Sequence, residues 1–262
     1  MEFCPFDGTR LHQIAETTRN VYTPPSHINT ELAGPIDSAK FRSSFRTFER
    51  LDAMNDFSGF WRWKLKIETG DSHILDSKHR GETYKRLRQI LPRWLAYRPF
   101  NSTVCLETLE GSLKRMSEVY NQIRNYSLLE FDKIEDESLE TVWHELGRAK
   151  EDMGKRSASG YYYIVSVTKP LMFLWGQTLA FDSLVRKCVP KLLGVPDQIR
   201  WDFKDWQRVL GMFQQELRRS VGIVDLLNET SLRKYGTDSI VPYGQFLDLY
   251  YWIEGKSRKR AR

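Results

Sequence analysis

Cysteine is scarce and scattered in this 262-residue chain: Cys4, Cys105 and Cys188 are odd in number and far apart. That excludes a disulfide framework and suits a reducing compartment. No apolar run reaches the roughly 18–20 residues that a membrane-spanning helix needs, so no membrane partner is expected. The first thirty residues lack a basic start followed by a continuous apolar core, so no secretory leader is expected either. The expectation is an intracellular protein, cytoplasmic or, in a eukaryotic host, nuclear. There is no Walker loop, no G-x-G-x-x-G and no G-x-S-x-G, which argues against the commonest nucleotide-binding and serine-hydrolase chemistries. No cofactor is expected. The opening CPFDGTRL lacks the second cysteine of a zinc knuckle and has Pro5 where a D-x-D-G-T phosphatase loop needs its nucleophilic aspartate. WHELG places Arg148 where a zinc protease needs a second histidine four residues after His144. No metal site is expected from these motifs.

Aromatic residues, by contrast, are abundant. Eight Trp, fourteen Phe and twelve Tyr in a chain that is 40% hydrophobic specify a globular fold with a substantial core. The net charge of +6 is distributed unevenly. The ending KSRKRAR carries five cations (Lys256, Arg258, Lys259, Arg260, Arg262), and without them 35 basic residues face 34 acidic ones. The basic character therefore belongs to a tail, read either as a solvated run or as an arm for phosphates or nuclear import.

Hydrophobic spacing predicts a mainly α, compact helical domain over 41–255, preceded by an irregular, proline-broken arm over 1–40 and followed by the basic tail 256–262. KEDMGKRSASG (150–160) is the best candidate for an internal boundary. Apolar stripes run through Phe41–Leu51, Tyr84–Leu95, Leu106–Ile123, Leu139–Leu146, Trp206–Leu217 and Tyr243–Ile253. Leu106–Ile123 reads as one long strut. Asp136 or Ser138 is the expected cap of the helix that follows. FWRWKLKI (60–67) alternates, with Trp61, Trp63, Leu65 and Ile67 against Arg62, Lys64 and Lys66, as a half-buried strand would. A small β hairpin across Gly70-Asp71 accommodates it, and a helix continuing from Phe57 is the rival reading. Arg42, Arg46 and Arg50 form a second basic stripe, at helical spacing. HILDSK places Asp76-x-Lys78 after a short apolar run. This resembles the PD-(D/E)xK nuclease core, with Asp52, Asp56 or Asp71 as the second carboxylate.

The most apolar stretch is YYYIVSVTKPLMFLWGQTLAFDSLVRKCVPKLLG (161–194). Pro170 fits only a first helical turn, so a helix end is expected to meet a helix start near Thr168-Lys169-Pro170. Thr168 would be its cap and Lys169 a cation at the positive end of the dipole. Gly176-Gln177-Thr178 turns the chain, and Asp182 is placed to cap an amphipathic helix over Leu184, Val185, Cys188 and Leu192.

A lysine at a helix start, then an apolar helix, a loop and D-[ST]-x-[VI] together resemble the helix-hairpin-helix DNA-glycosylase superfamily. The resemblance implies that Ser166-Val167-Thr168 occupy the hairpin, where the family has G-x-G. It makes Lys169 the attacking lysine and Asp182 the catalytic aspartate. The implied partner is DNA, its phosphates met by Thr168, by Arg42, Arg46, Arg50, Arg62, Lys64 and Lys66, and by Arg258, Lys259 and Arg260 in the tail. A non-catalytic helical module docking a protein through Trp- and Tyr-rich patches is the alternative, and a metal-dependent nuclease the third reading.

Overall fold

The computed structural model describes residues 36, 38–48, 52–68, 70–94, 102–151, 161–192, 202–237 and 240–260. Residues 1–35 and 37 of the expected 1–40 arm, most of the 150–160 segment, Arg50 and residues 261–262 lie outside these, and residues 38–40 are already helical. Eleven α-helices and one 3₁₀ segment, with no strand, make up the described residues: α1 Ser38–Phe48, α2 Asp52–Ile67, α3 Arg80–Ile90, α4 Ser102–Arg115, α5 Ser117–Ile123, the 3₁₀ segment Leu128–Lys133, α6 Asp136–Glu151, α7 Tyr161–Trp175, α8 Ser183–Leu192, α9 Phe203–Arg219, α10 Val221–Tyr235 and α11 Tyr243–Arg260.

α7 is the central helix. From Ile164 to Trp175 every side chain is buried except the half-buried Val165, as expected of a helix that is apolar all round. α2 packs on it through Phe57 and Phe60, whose rings lie 5.5 and 5.7 Å from Phe173. At its C-terminal end the Trp175 indole donates to Ile123 O (3.1 Å) and Tyr126 O (3.0 Å). Phe131, Trp143, Phe203 and Trp206 form an adjoining aromatic cluster that joins the 3₁₀ segment, α6 and α9. α11 packs against α8 and α1, and Tyr250 stacks on Phe41 at 5.3 Å.

The stripes of α9 are as expected: Trp206, Val209, Leu210, Phe213 and Leu217 are all buried, behind an Asp202 cap that accepts from the Asp205 amide at 2.9 Å. Other expectations are corrected. Residues 60–67 are helical, not a strand. Phe57, Phe60, Trp61 and Lys64 recur at helical spacing and are buried together, and Trp63, Leu65 and Ile67 are only half-buried. The long strut divides at Met116 (φ −86°, ψ 3°), although Leu113, Met116, Tyr120 and Ile123 continue one buried stripe across the break. Pro170 lies inside α7 and not at a helix start. Burial of both flanking turns outweighs the roughly 3 kcal/mol that an interior proline costs. α10 is an addition to the expected set. α11 continues through Arg260, so the backbone of the basic segment is helical up to that residue, and Lys256 lies 3.6 Å over the Trp252 ring.

Candidate functional site

Residues 176–182 leave α7 and enter α8, and all but Asp182 are buried. A buried loop must find internal partners for its polar groups, and this one draws them from distant parts of the chain. Gly176 closes α7 at φ +77°, and a Cβ there would lie within 2.7 Å of two Trp61 ring atoms, so the position needs glycine. The Gln177 side chain accepts from the Leu128 amide and donates to Val241 O, both at 2.9 Å. Thr178 Oγ1 accepts from the Trp206 indole (2.9 Å). The Ala180 carbonyl accepts from Thr168 Oγ1 (2.8 Å), and its amide donates to Asp248 Oδ1 of α11 (2.8 Å). The Phe181 amide also hydrogen-bonds Asp248. Phe181 has φ +47°, the one positive φ outside glycine among the described residues.

Asp182 follows directly. Its Oδ1 accepts from the amides of Leu184 (2.9 Å) and Val185 (3.1 Å), so it caps α8 as expected. Among the described residues no donor reaches Oδ2. Lys169 sits on α7, 6% exposed, and its ammonium donates to the Trp94 carbonyl. Burial lowers the Lys169 pKa, and the charges of Asp182 and Asp248 partly offset this. Asp248 is pushed up to about 7, first by burial and then by the Asp182 charge, against the amide bonds and Lys169. Lys169, Asp182 and Asp248 therefore lie within electrostatic reach of one another, with no ion pair of 4 Å or less among them. Trp94 is itself held in place: its indole donates to Asp56 Oδ2 (3.2 Å), Arg93 donates to Asp56 Oδ1 (2.6 Å), and its ring meets Phe173 edge-on at 5.0 Å.

Such a set has definite chemical capacities. A lysine whose charged form is disfavoured by burial supplies a nucleophilic amine. A carboxylate with one uncommitted oxygen at a helix N-terminus can accept a proton or stabilise developing positive charge.

The other expected site residues are dispersed. Thr168 is buried in mid-helix, its hydroxyl directed at Ile164 O and Ala180 O, so it neither caps a helix nor meets phosphate. Ser166 and Val167 are likewise within α7, and no hairpin turn occurs there. Lys64 departs from the exposed stripe. It is fully buried, 2.7 Å from Glu68, and its pKa is lowered by burial more than Glu68 raises it. The Tyr120 hydroxyl completes that cluster, 2.5 Å from Glu68 Oε1 and 2.8 Å from Leu174 O. Arg42, Arg62 and Lys66 are exposed, and Arg62 donates to Lys234 O at 3.3 Å. The side chains of Arg46, Arg50, Arg258, Lys259 and Arg260 lie outside the described ones.

Asp76 organises its own turn, accepting from the amides of His73, Lys78 and His79 and from Ser72 Oγ. Partial burial opposes its charge, but the His79 and His73 amide bonds outweigh that and hold the carboxyl below its usual range. Asp56 is committed to Arg93 and Trp94, and Asp71 is exposed away from any such cluster. Among the described residues no three His, Cys, Asp or Glu converge as a metal-binding group, and no helix is long and apolar enough to cross a membrane. The aromatic residues expected to dock a partner are mostly core. Trp61, Trp175, Trp206, Tyr120 and Tyr251 are fully buried, and Leu232 is the one large apolar side chain well exposed among the described residues.

Asp248 and Trp94 were missed by sequence reasoning. The signal for Asp248 was a lone carboxylate within the apolar run YGQFLDLYYW (243–252). Trp94 contributes a backbone carbonyl, which no side-chain pattern reports. No protein-family model, curated protein or solved structure matches the chain.

Proposed function

We propose that the protein binds DNA and cleaves a nucleoside at the Lys169–Asp182 pair, the chemistry that the glycosylase resemblance implies. One observation carries this reading: a desolvated lysine feels the charge of a carboxylate that uses only one oxygen to cap its helix. In the step, the neutral Lys169 amine attacks C1′ of the sugar. The C1′–N bond breaks and its electron pair leaves with the base. The proton shed by the new C–N⁺ centre passes to Asp182, whose charge also favours the cationic sugar before the amine closes on it. Exposed Arg42, Arg62 and Lys66 supply phosphate contacts that carry no sequence information. Substrate reaches the amine by displacing the Trp94 carbonyl, so the Asp56 clamp on that turn sets access.

The test is borohydride trapping on duplex DNA containing an abasic site, which reports the amine–sugar linkage directly. A covalent protein–DNA adduct is expected from wild type, absent from Lys169→Ala, reduced in Asp182→Asn without loss of melting temperature, and faster in Asp56→Ala. No adduct from wild type, or an adduct that persists in Lys169→Ala, refutes the proposal. A drop in melting temperature as the sole effect of Asp182→Asn reduces that residue to a helix cap.

A further inference from the structure

We infer that Asp248 of α11 is a positioning residue for the Lys169–Asp182 site, fixing the backbone that aims Asp182. The inference rests on reading that pair as reactive. Its basis is geometric. Asp248 lies 66 residues beyond Asp182 in the chain, yet its carboxylate takes the amides of Ala180 and Phe181, the two residues immediately before Asp182. Phe181 holds a left-handed φ that a non-glycine residue adopts only when its surroundings impose it. The two amide bonds to Asp248 are such a constraint. Rotation about Phe181 would swing Asp182 off the N-terminus of α8 and away from Lys169. The approach of α11 is fixed as well, because a Cβ at Gly244 would fall 2.6 Å from Gln177 O.

Asp248 also acts through its charge. The charged groups facing it are Lys169 from α7 and Asp182 from the loop, and both carboxylates raise the lysine's affinity for its proton. Asp248 thus does two things that a plain packing residue does not: it orients the partner carboxylate and, after Asp182, it opposes the burial that disfavours the Lys169 cation.

The test reads Lys169 itself. Protein labelled with ¹³C-lysine is titrated by NMR, with the Lys169 resonance assigned from Lys169→Arg. In Asp248→Asn the side-chain oxygen can still accept from the Ala180 amide, and the negative charge is gone. The Lys169 midpoint is expected to move down in pH, and the pH profile of adduct formation to move the same way with reduced amplitude. A folded Asp248→Asn protein with an unmoved Lys169 midpoint overturns the inference. The wild-type protein gives an arm that needs no variant: its Lys169 resonance should show an added inflection as pH passes about 7, where Asp248 ionises. Absence of that inflection also counts against Asp248. If the midpoint moves but wild type forms no adduct with DNA, the coupling stands and the DNA reading falls.

Discussion

Replacing Gly244 with alanine tests whether the loop that carries the site is as closely backed by α11 as its geometry shows. Gly244 lies in the first turn of α11 against the backbone of residues 177 and 178. The added Cβ would sit 2.6 Å from Gln177 O and nearer still to the Gln177 carbonyl carbon and the Thr178 nitrogen, well inside the ~3.5–4.0 Å at which carbon contacts are favourable. These atoms cannot move cheaply. Gln177 is tied to Leu128 and Val241, and the Gln245 amide donates to Gly176 O at 3.2 Å. Overpacking of this kind costs about 1–3 kcal/mol and more where backbone must shift, against a gain of ~1 kcal/mol in helix propensity. A net loss of about 2 kcal/mol lowers the melting temperature by roughly 4–8 °C in a chain of this size. Gly59→Ala is the control. Gly59 is an exposed residue within α2 with nothing within 4 Å of its Cβ position, so that change should raise stability by about 0.5–1 kcal/mol. Urea and thermal melts of both variants decide the matter. A Gly244→Ala protein as stable as wild type would refute the close approach and the argument that α11 positions the loop.

Asp248 should also set a pH dependence of stability. Its folded pKa is raised from 3.8 to about 7, so across that window the folded state keeps a proton that the unfolded state has released, and stability falls as pH rises through it. At 1.36 kcal/mol per unit the effect reaches up to about 4 kcal/mol. Melts of Asp248→Asn against wild type should therefore favour the variant progressively from pH 3.8 to about 7 and no further above that; a pH-independent difference contradicts the assignment. At the second buried cluster, Lys64→Met strands Glu68 and should cost about 3–5 kcal/mol, whereas Lys64→Met with Glu68→Gln should recover most of it. Equal losses in the single and double variants, measured by urea denaturation, would show that the two side chains are not energetically paired.

The sequence was legible where one period dominated. The stripes of α9 and α11 needed only helical spacing, and Asp182 was readable as a cap because capping is local chemistry. Residues 60–67 were misread because a seven-residue alternation fits two periods equally well. What decided between them was the burial of Lys64, and its partner Glu68 lies one helical turn on, outside the alternating window. Lys169 and Asp182 stood out as single charges in an apolar stretch. Their common environment was not readable, because it depends on Trp94 and Asp248, each more than sixty residues from one or both of them. Pro170 misled in a different way. The rule it follows is a local cost, and the burial of α7 on all sides outweighs that cost.

The distant anchoring of residues 176–182 also bears on how the protein is made. The bonds that hold this loop come from positions 128, 206, 241 and 248. During synthesis, Asp182 and Lys169 leave the ribosome long before Asp248 does. A nascent chain in which α11 is still inside the exit tunnel exposes a loop with unmet amides and a lysine without its second carboxylate. Chains stalled before residue 248 should accordingly lack the arrangement, however completely α7 has already coiled.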